Sequence, residues 1–323
     1  MVAHSREGQL RIVTRGSALA LWQARHVRAA IAAAGLPEPE LVIVRTTGDR
    51  IQDVPLASIG DRGLFTREVD QALFDGRADI AVHSAKDVPT VVPDGLRIVA
   101  FSEREDPADA LVARPGRGRL VDLPAGARVG TSSLRRRAQL AALRPDLEIV
   151  DLRGNVDTRI THVHDGVVDA AILARAGLLR LGRADEASEV LRAPVWLPAV
   201  GQGALAIVMR ADDARAQAVT PALDHAASRS AVVAERAFLG ELEGGCQVPI
   251  GALACIEGDR LTLEGAVFSL DGATTVRGSV AGAVDDARSL GERLAGDLRA
   301  RGAGDVLAAI RALVPGAPAV PEP

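Results

Sequence analysis

The order of strand-like and helix-like segments predicts an α/β chain of three domains, the first two doubly wound and the third α+β with a small antiparallel sheet. Three observations lead there. At 323 residues the chain is longer than one ordinary core serves, since single cores stop growing near about 250 to 300 residues. Up to about residue 190, apolar runs of strand length alternate with segments of helical apolar spacing. Beyond residue 226 that alternation gives way to one helix, three strand-like runs and a second helix.

The first block opens with a strand at 9–13 and a helix at 17–34, closed by Gly35 and Pro37. A strand at 41–46, a helix at 64–75 ending at Gly76, and strands at 79–82 and 96–101 follow. A charged, proline-bearing loop at 102–107 then leads to a second block with the same grammar. Strand 128–131 precedes helix 134–143, strand 147–152 precedes helix 156–165, and strand 168–174 precedes a short helix near Leu179. Proline and glycine between 194 and 203 mark its exit. The apolar strand at 204–209 is too short to be a domain and is expected to return to the first sheet. A helix at 226–241, strands around Ala252, Leu261 and Val276, and a helix at 287–301 complete the third block. The domains are therefore expected at 1–103 with 198–221, 104–197 and 222–314, with 315–323 a disordered tail.

Composition narrows function. Hydrophobic residues make up 48% of the chain but aromatics only 2%, with no tyrosine, so the cores are aliphatic. The formal charge of -4 argues against a broad nucleic-acid surface, and few rings remain for base stacking. Cys246 and Cys255 are too few for a disulfide framework and fit no common zinc spacing, so no metal is expected. The first nine residues are polar and no run approaches a membrane span of roughly 20 apolar residues. A cytoplasmic protein is expected.

Of 38 basic residues, all are arginine but one, Lys86. A compact ammonium and a flat guanidinium do different work, so a lone lysine beside Asp87 marks a position that demands one. The alternative is a solvated Lys–Asp pair at a strand end. Arginines gather at strand-to-helix turns, in Thr131-Ser132-Ser133-Leu134-Arg135-Arg136-Arg137 and in Arg153-Gly154-Asn155-Val156-Asp157-Thr158-Arg159. Free amides at a helix start, backed by guanidinium forks, suit carboxylates or phosphates. In doubly wound sheets such turns open on one crevice, which places Arg135, Arg136, Arg153 and Arg159 opposite Lys86 and Asp87. Chance placement of solvated arginines is the rival explanation, but cations at a helix start oppose the dipole.

Thr14-Arg15-Gly16-Ser17 is a third such turn, with Ser17 an N-cap candidate. The Gly-bracketed 60–65 loop is a candidate lid carrying Arg62 and Phe65. Cys246, after two glycines and before Gln247-Val248-Pro249, sits in a loop suited to a covalent role, whereas Cys255 reads as a small buried hydrophobe. His83, Ser84 and Asp87 are too close in sequence for a catalytic triad.

Taken together, these segments resemble the porphobilinogen deaminase (hydroxymethylbilane synthase) family over nearly the whole chain. The resemblance rests on Thr-Arg-Gly-Ser at 14–17, Ala-Asp-Ile-Ala-Val-His-Ser-Ala-Lys-Asp-Val-Pro at 78–89, Gly-Thr-Ser-Ser-Leu-Arg-Arg at 130–136, Leu-Arg-Gly-Asn at 152–155 and Leu-Glu-Gly-Gly-Cys-Gln-Val-Pro at 242–249. It implies three domains, the first two like periplasmic binding proteins of type II. It also implies a cytoplasmic, monomeric transferase that condenses four porphobilinogen molecules, with loss of ammonia, onto a dipyrromethane primer, released by hydrolysis as hydroxymethylbilane.

By that likeness Cys246 holds the dipyrromethane cofactor through a thioether, and Asp87 contacts pyrrole N–H groups and stabilises the cationic azafulvene. Arg15, Ser17, Lys86, Thr131, Ser133, Arg135, Arg136, Arg153, Asn155, Arg159, Arg180 and Gln202 would hold acetate and propionate groups, with Arg62 and Phe65 in the lid. The chain departs from the usual pattern at Ala85, where Met or Leu is common, and at Arg62, where Lys is usual. The competing hypothesis is a non-catalytic binding module whose arginine crevice captures a small carboxylate or oxyanion and needs no cysteine.

Overall fold

The computed structural model describes residues 9–46, 66–242 and 248–313. In the first block, β1 (Arg11–Arg15), β2 (Glu40–Val44), β3 (Ile80–Ser84), β4 (Leu96–Phe101) and β10 (Leu205–Arg210) form a sheet ordered β2-β1-β3-β10-β4. β1 pairs parallel with β2 and β3, while β10 runs antiparallel between β3 and β4. The second sheet repeats the plan with β5 (Asp109–Ala113), β6 (Arg128–Gly130), β7 (Glu148–Val150), β8 (Ala170–Ala174) and β9 (Glu189–Leu191), ordered β7-β6-β8-β5-β9. Here β5 is the antiparallel strand, between β8 and β9.

Both sheets are covered on two faces, which is why their central strands are continuously apolar rather than alternating. Ile80-Ala81-Val82 and Ala110-Leu111-Val112 are buried throughout. Helix α1 (Ala18–Ala33) packs Ala24, Val27 and Ile31 on one face of the first sheet, while α2 (Arg67–Phe74) packs Val69, Ala72 and Leu73 on the other. In the second sheet, α3 (Leu134–Leu143) contributes Leu140 to one face and α4 (Val156–His164) contributes Ile160 and Val163 to the other. The short helix α5 (Arg175–Arg180) follows β8. After β10 come two single turns, α6 (Ala214–Gln217) and α7 (Thr220–Leu223).

The third block is an antiparallel meander, β11 (Ile250–Glu257), β12 (Arg260–Phe268) and β13 (Thr275–Ala283). It is roofed by α8 (Ala226–Glu241) and α9 (Ala287–Leu298), with α10 (Gly304–Leu313) beyond a kinked turn. Phe238 of α8, fully buried among Leu261, Leu263 and Leu294, is worth about 2 to 3 kcal/mol of transfer free energy.

The expected return of the 204–209 strand to the first sheet is met by β10. Two strands, β5 and β9, fall in stretches to which the sequence pattern assigns no element. The run that forms β5 opens on a charged, proline-bearing stretch, and β9 is only three residues long, so neither carries a strand signal of its own. Cys255, expected in the core, is exposed. Strand alternation turns Ala252 and Ala254 inward and leaves Cys255 on the outer face.

β5 matters because it and β10, each the antiparallel strand beside an edge strand, are where the chain enters the second sheet and returns to the first. The chain leaves the first sheet after β4, enters the second as β5, and comes back from β9 as β10. The two connections pass each other closely: the Glu105 N–H donates to Gly203 O at 3.2 Å. Gly203 has φ of +94°, and a Cβ there would lie 2.2 Å from Glu105 O, so glycine is required.

Candidate functional site

Buried β3 delivers Ser84 to a single 3-10 turn, Ala85–Asp87. Ala85 and Val88 anchor the turn in a small apolar cluster with Phe101 and Ala204, and the Ala85 N–H donates to Ala204 O. Between these anchors Lys86 points inward and Asp87 is exposed. Lys86 Nζ donates to Gln202 Oε1 at 3.3 Å. Gln202 is itself buried, and its Nε2 donates to Pro107 O at 2.8 Å and to Asp109 Oδ1 at 2.8 Å. One amide thus ties the Ala85–Asp87 turn of the first sheet to the start of β5 in the second.

Across from it, the turn after β6 leads into α3. Arg135 and Arg136 are only 4% and 5% exposed, which rules out solvated arginines. Arg135 Nη1 donates to Leu197 O at 2.6 Å and its Nη2 lies 2.9 Å from Asp109 Oδ2. Arg136 Nη1 donates to Ile172 O at 2.8 Å and its Nη2 to Asp109 Oδ1 at 2.6 Å. Burial alone pushes the Asp109 carboxyl up, but the two guanidiniums outweigh it and hold it far below the usual carboxylate range. The Nε groups of both arginines are buried with no acceptor among the described residues.

The turn after β7 supplies the rest. Asn155 Oδ1 accepts from the Thr158 N–H at 2.8 Å and caps α4, which places Asn155 as a helix cap. Arg159 Nε donates to Gly154 O at 2.9 Å. Burial chiefly, with Arg136 and Arg153 adding to it, lowers Arg159 to about 10, while Asp87 and Asp151 act the other way. Burial likewise lowers Lys86 to about 8, against the pull of Asp87 and Asp109 and with the push of Arg136 and Arg135. These mutual effects put Asp87 and Lys86 of the first sheet within electrostatic reach of the arginines of the second.

Other expected residues lie elsewhere or play local parts. Ser17 caps α1, accepting from the Ala20 N–H at 3.3 Å, and Thr131 Oγ1 accepts from the Ser133 N–H at 3.2 Å. Arg15 ends β1 and acts on buried His83, whose pKa falls to about 4 through burial first and Arg15 second. His83 is thus neutral near pH 7, and its 3.7 Å approach to Asp70 is no ion pair. Arg180 Nη2 donates to Gly203 O, and its guanidinium sits 5.5 Å from the Trp22 ring centroid. It braces α5 against α1.

Arg62, Phe65 and Cys246 lie outside the described residues. The strand that follows Cys246 is fixed near the site, and the helix that precedes it ends in the third-block core. Leu242 is buried, the Ala252 N–H donates to Pro198 O at 3.1 Å, and Gly251 packs on Leu197, whose carbonyl also receives Arg135.

Sequence reasoning missed Asp109, Trp196, Arg104 and Glu235. Trp196 Nε1 donates to Asp109 Oδ2 at 2.8 Å, and Arg104 forks onto fully buried Glu235 at 2.6 Å and 3.1 Å. The one available signal was an acid directly before the apolar run Ala110-Leu111-Val112. Chemically, the whole is a cluster with a surplus of buried cations, which suits carboxylates as partners, beside one exposed acid that acts on those cations.

The chain resembles known proteins along its length. Residues 10–218 match the family model described as porphobilinogen deaminase, dipyromethane cofactor binding domain, and residues 230–300 match the model of the porphobilinogen deaminase C-terminal domain. A porphobilinogen deaminase of Desulforudis audaxviator is 51% identical over 303 residues, covering 93% of this chain and 97% of that one. One from Geobacter metallireducens is 50% identical over 304 residues, covering 94% and 95%. Among solved structures, the periplasmic VFT2 domain of Bordetella pertussis BvgS aligns with a TM-score of 0.41 at 15% identity, covering 67% of this chain and 86% of that one.

Proposed function

We propose, for a chain that belongs to the porphobilinogen deaminase family, that the cleft between its two doubly wound sheets holds the dipyrromethane cofactor and the lengthening pyrrole chain, with Asp87 at the reacting centre. The protein is a transferase that condenses porphobilinogen head to tail with loss of ammonia and yields hydroxymethylbilane. A non-catalytic binding module is not favoured.

The observation that carries the site is that Asp87 of one sheet acts on its neighbour Lys86 and on Arg159 of the other sheet, and Arg136 acts on both of those cations. The residues fit the cofactor: the buried Nε groups of Arg135 and Arg136 want acceptors, and acetate and propionate groups provide them. When bound, the dipyrromethane supplies the electron-rich pyrrole to which substrate is joined. Cys246 is its thioether attachment point, on a segment that leads into Gly251 and Ala252, which are held beside Leu197 and Pro198. Arg153 and Arg159 receive carboxylates from the second-sheet side, and Lys86 from the first. Arg15, Ser17, Thr131 and Ser133 extend the same polar rim, with the 60–65 loop as lid.

Asp87 acts by charge. Loss of ammonia from porphobilinogen leaves a cation, and a fixed carboxylate beside it lowers that barrier. The same carboxylate accepts pyrrole N–H groups, which orients the ring. Its exposure in the open cleft becomes shielding once pyrroles exclude water, and the interaction strengthens accordingly. The enzyme is assigned as a monomer of the cytoplasm. The domains divide at 1–103 with 198–221, 104–197 and 222–314.

Asp87→Asn tests this. It keeps the shape and removes the charge, so intact mass should still show bound cofactor while turnover falls at least about a hundredfold. Turnover within a few-fold of wild type would remove Asp87 from the reacting centre.

A further inference from the structure

Asp109 is the second acid of the site, and it takes no part in the chemistry above. Its Oδ1 receives Arg136 at 2.6 Å and Gln202 at 2.8 Å, while its Oδ2 receives Arg135 at 2.9 Å and Trp196 at 2.8 Å. A carboxylate offers about four lone-pair sites, so none is left for a ligand or for proton transfer.

We infer that Asp109 is a positioning residue for the carboxylate-binding cations: it fixes Arg135, Arg136 and Gln202, and through Gln202 Lys86, in the arrangement that substrate meets. This deepens the function proposed above and rests on it.

Two consecutive arginines in the first turn of a helix repel each other and oppose its dipole, yet here both are buried. Asp109 resolves the conflict by giving one oxygen to each. Leu197 O and Ile172 O take the Nη1 groups, so each guanidinium is held at both ends and its unpartnered Nε edge is set in direction. The amide of Gln202 has a donor end and an acceptor end. Asp109, with Pro107 O, claims the donor end, which forces Oε1 toward the Lys86 ammonium. The orientation of that one amide decides whether Lys86 meets an acceptor or a second donor.

The chain's single lysine makes the test direct. Full-length protein grown on isotopically labelled lysine gives one side-chain resonance, whose pH titration reads Lys86 alone, in the presence of Asp87, Arg135, Arg136 and Asp109, the charged groups that act on it. In Asp109→Asn the midpoint should move down, because a supporting negative charge is gone. Trp196→Phe disturbs the same buried patch but keeps the charge, and its midpoint should match wild type.

An unmoved midpoint in Asp109→Asn, or an equal shift in Trp196→Phe, would overturn the inference. If Asp109→Asn does not fold, the charge-balanced double variant Asp109→Asn/Arg135→Gln decides. Recovery of the fold supports action through the arginines, and continued unfolding makes Asp109 merely a packing residue. No substrate enters this titration, so its failure leaves the Asp87 assignment standing, and failure of that assignment shows instead in the turnover of Asp87→Asn.

Discussion

Lys86 shows why one position in an arginine-rich chain keeps a lysine. A guanidinium stays charged under nearly all conditions and needs room for a planar fork, whereas the ammonium fits between Gln202 and the buried arginines as a point charge. Burial chiefly lowers it from 10.5 to about 8. Between those values the folded state binds fewer protons than the unfolded one, so this group's contribution to stability rises with pH from about 8 to 10.5. Below about 8 the buried charge costs stability. Substrate binding runs the other way, since the cation is lost as pH rises through about 8. KM for porphobilinogen should therefore climb above that point while kcat changes less, and Lys86→Arg should flatten the climb. A wild-type KM that stays level there would separate Lys86 from carboxylate binding. Lys86 and Asp87 were legible because composition singled the lysine out. Asp109 was not, because an aspartate after Asp106-Pro107-Ala108 looks like loop, and only the fold brings four donors onto it.

Among elements, the arginine turns were read correctly because strand, small polar turn and helix follow one another in sequence. Helix α3 begins and ends where its spacing says. β5 and β10 differ in kind. β10 has a clear apolar signal, and its sheet follows from its shortness, but β5 gains its strand character from pairing with β8 and β9, which no local pattern reveals. The crossing of the two connections is correspondingly invisible in sequence and sensitive to size. Gly203→Ala places a Cβ 2.2 Å from Glu105 O and strains a backbone with φ of +94°, so stability should fall by about 2 kcal/mol or more. Thermal unfolding checks it, and an unchanged Tm would mean that the crossing relaxes freely.

For the whole molecule, the third block does more than carry the cysteine segment. Glu235 on α8 accepts from Arg104 in the first connection, from the Gly201 N–H in the second at 2.7 Å, and from the Ala254 N–H of β11 at 2.8 Å. One buried carboxylate thus pins both connections to the sheet that follows Cys246. Glu235→Gln leaves Arg104 buried with its counter-charge removed, and should cost about 3 kcal/mol in urea unfolding; a loss within about 0.5 kcal/mol would show that the pin carries no load. The most direct measurement is the intact mass of the purified protein. Wild type should carry the added mass of a dipyrromethane that Cys246→Ala lacks, with the peptide bearing Cys246 modified. A wild-type mass equal to that of the bare chain, in protein that turns over porphobilinogen, would contradict a primer held through that sulfur.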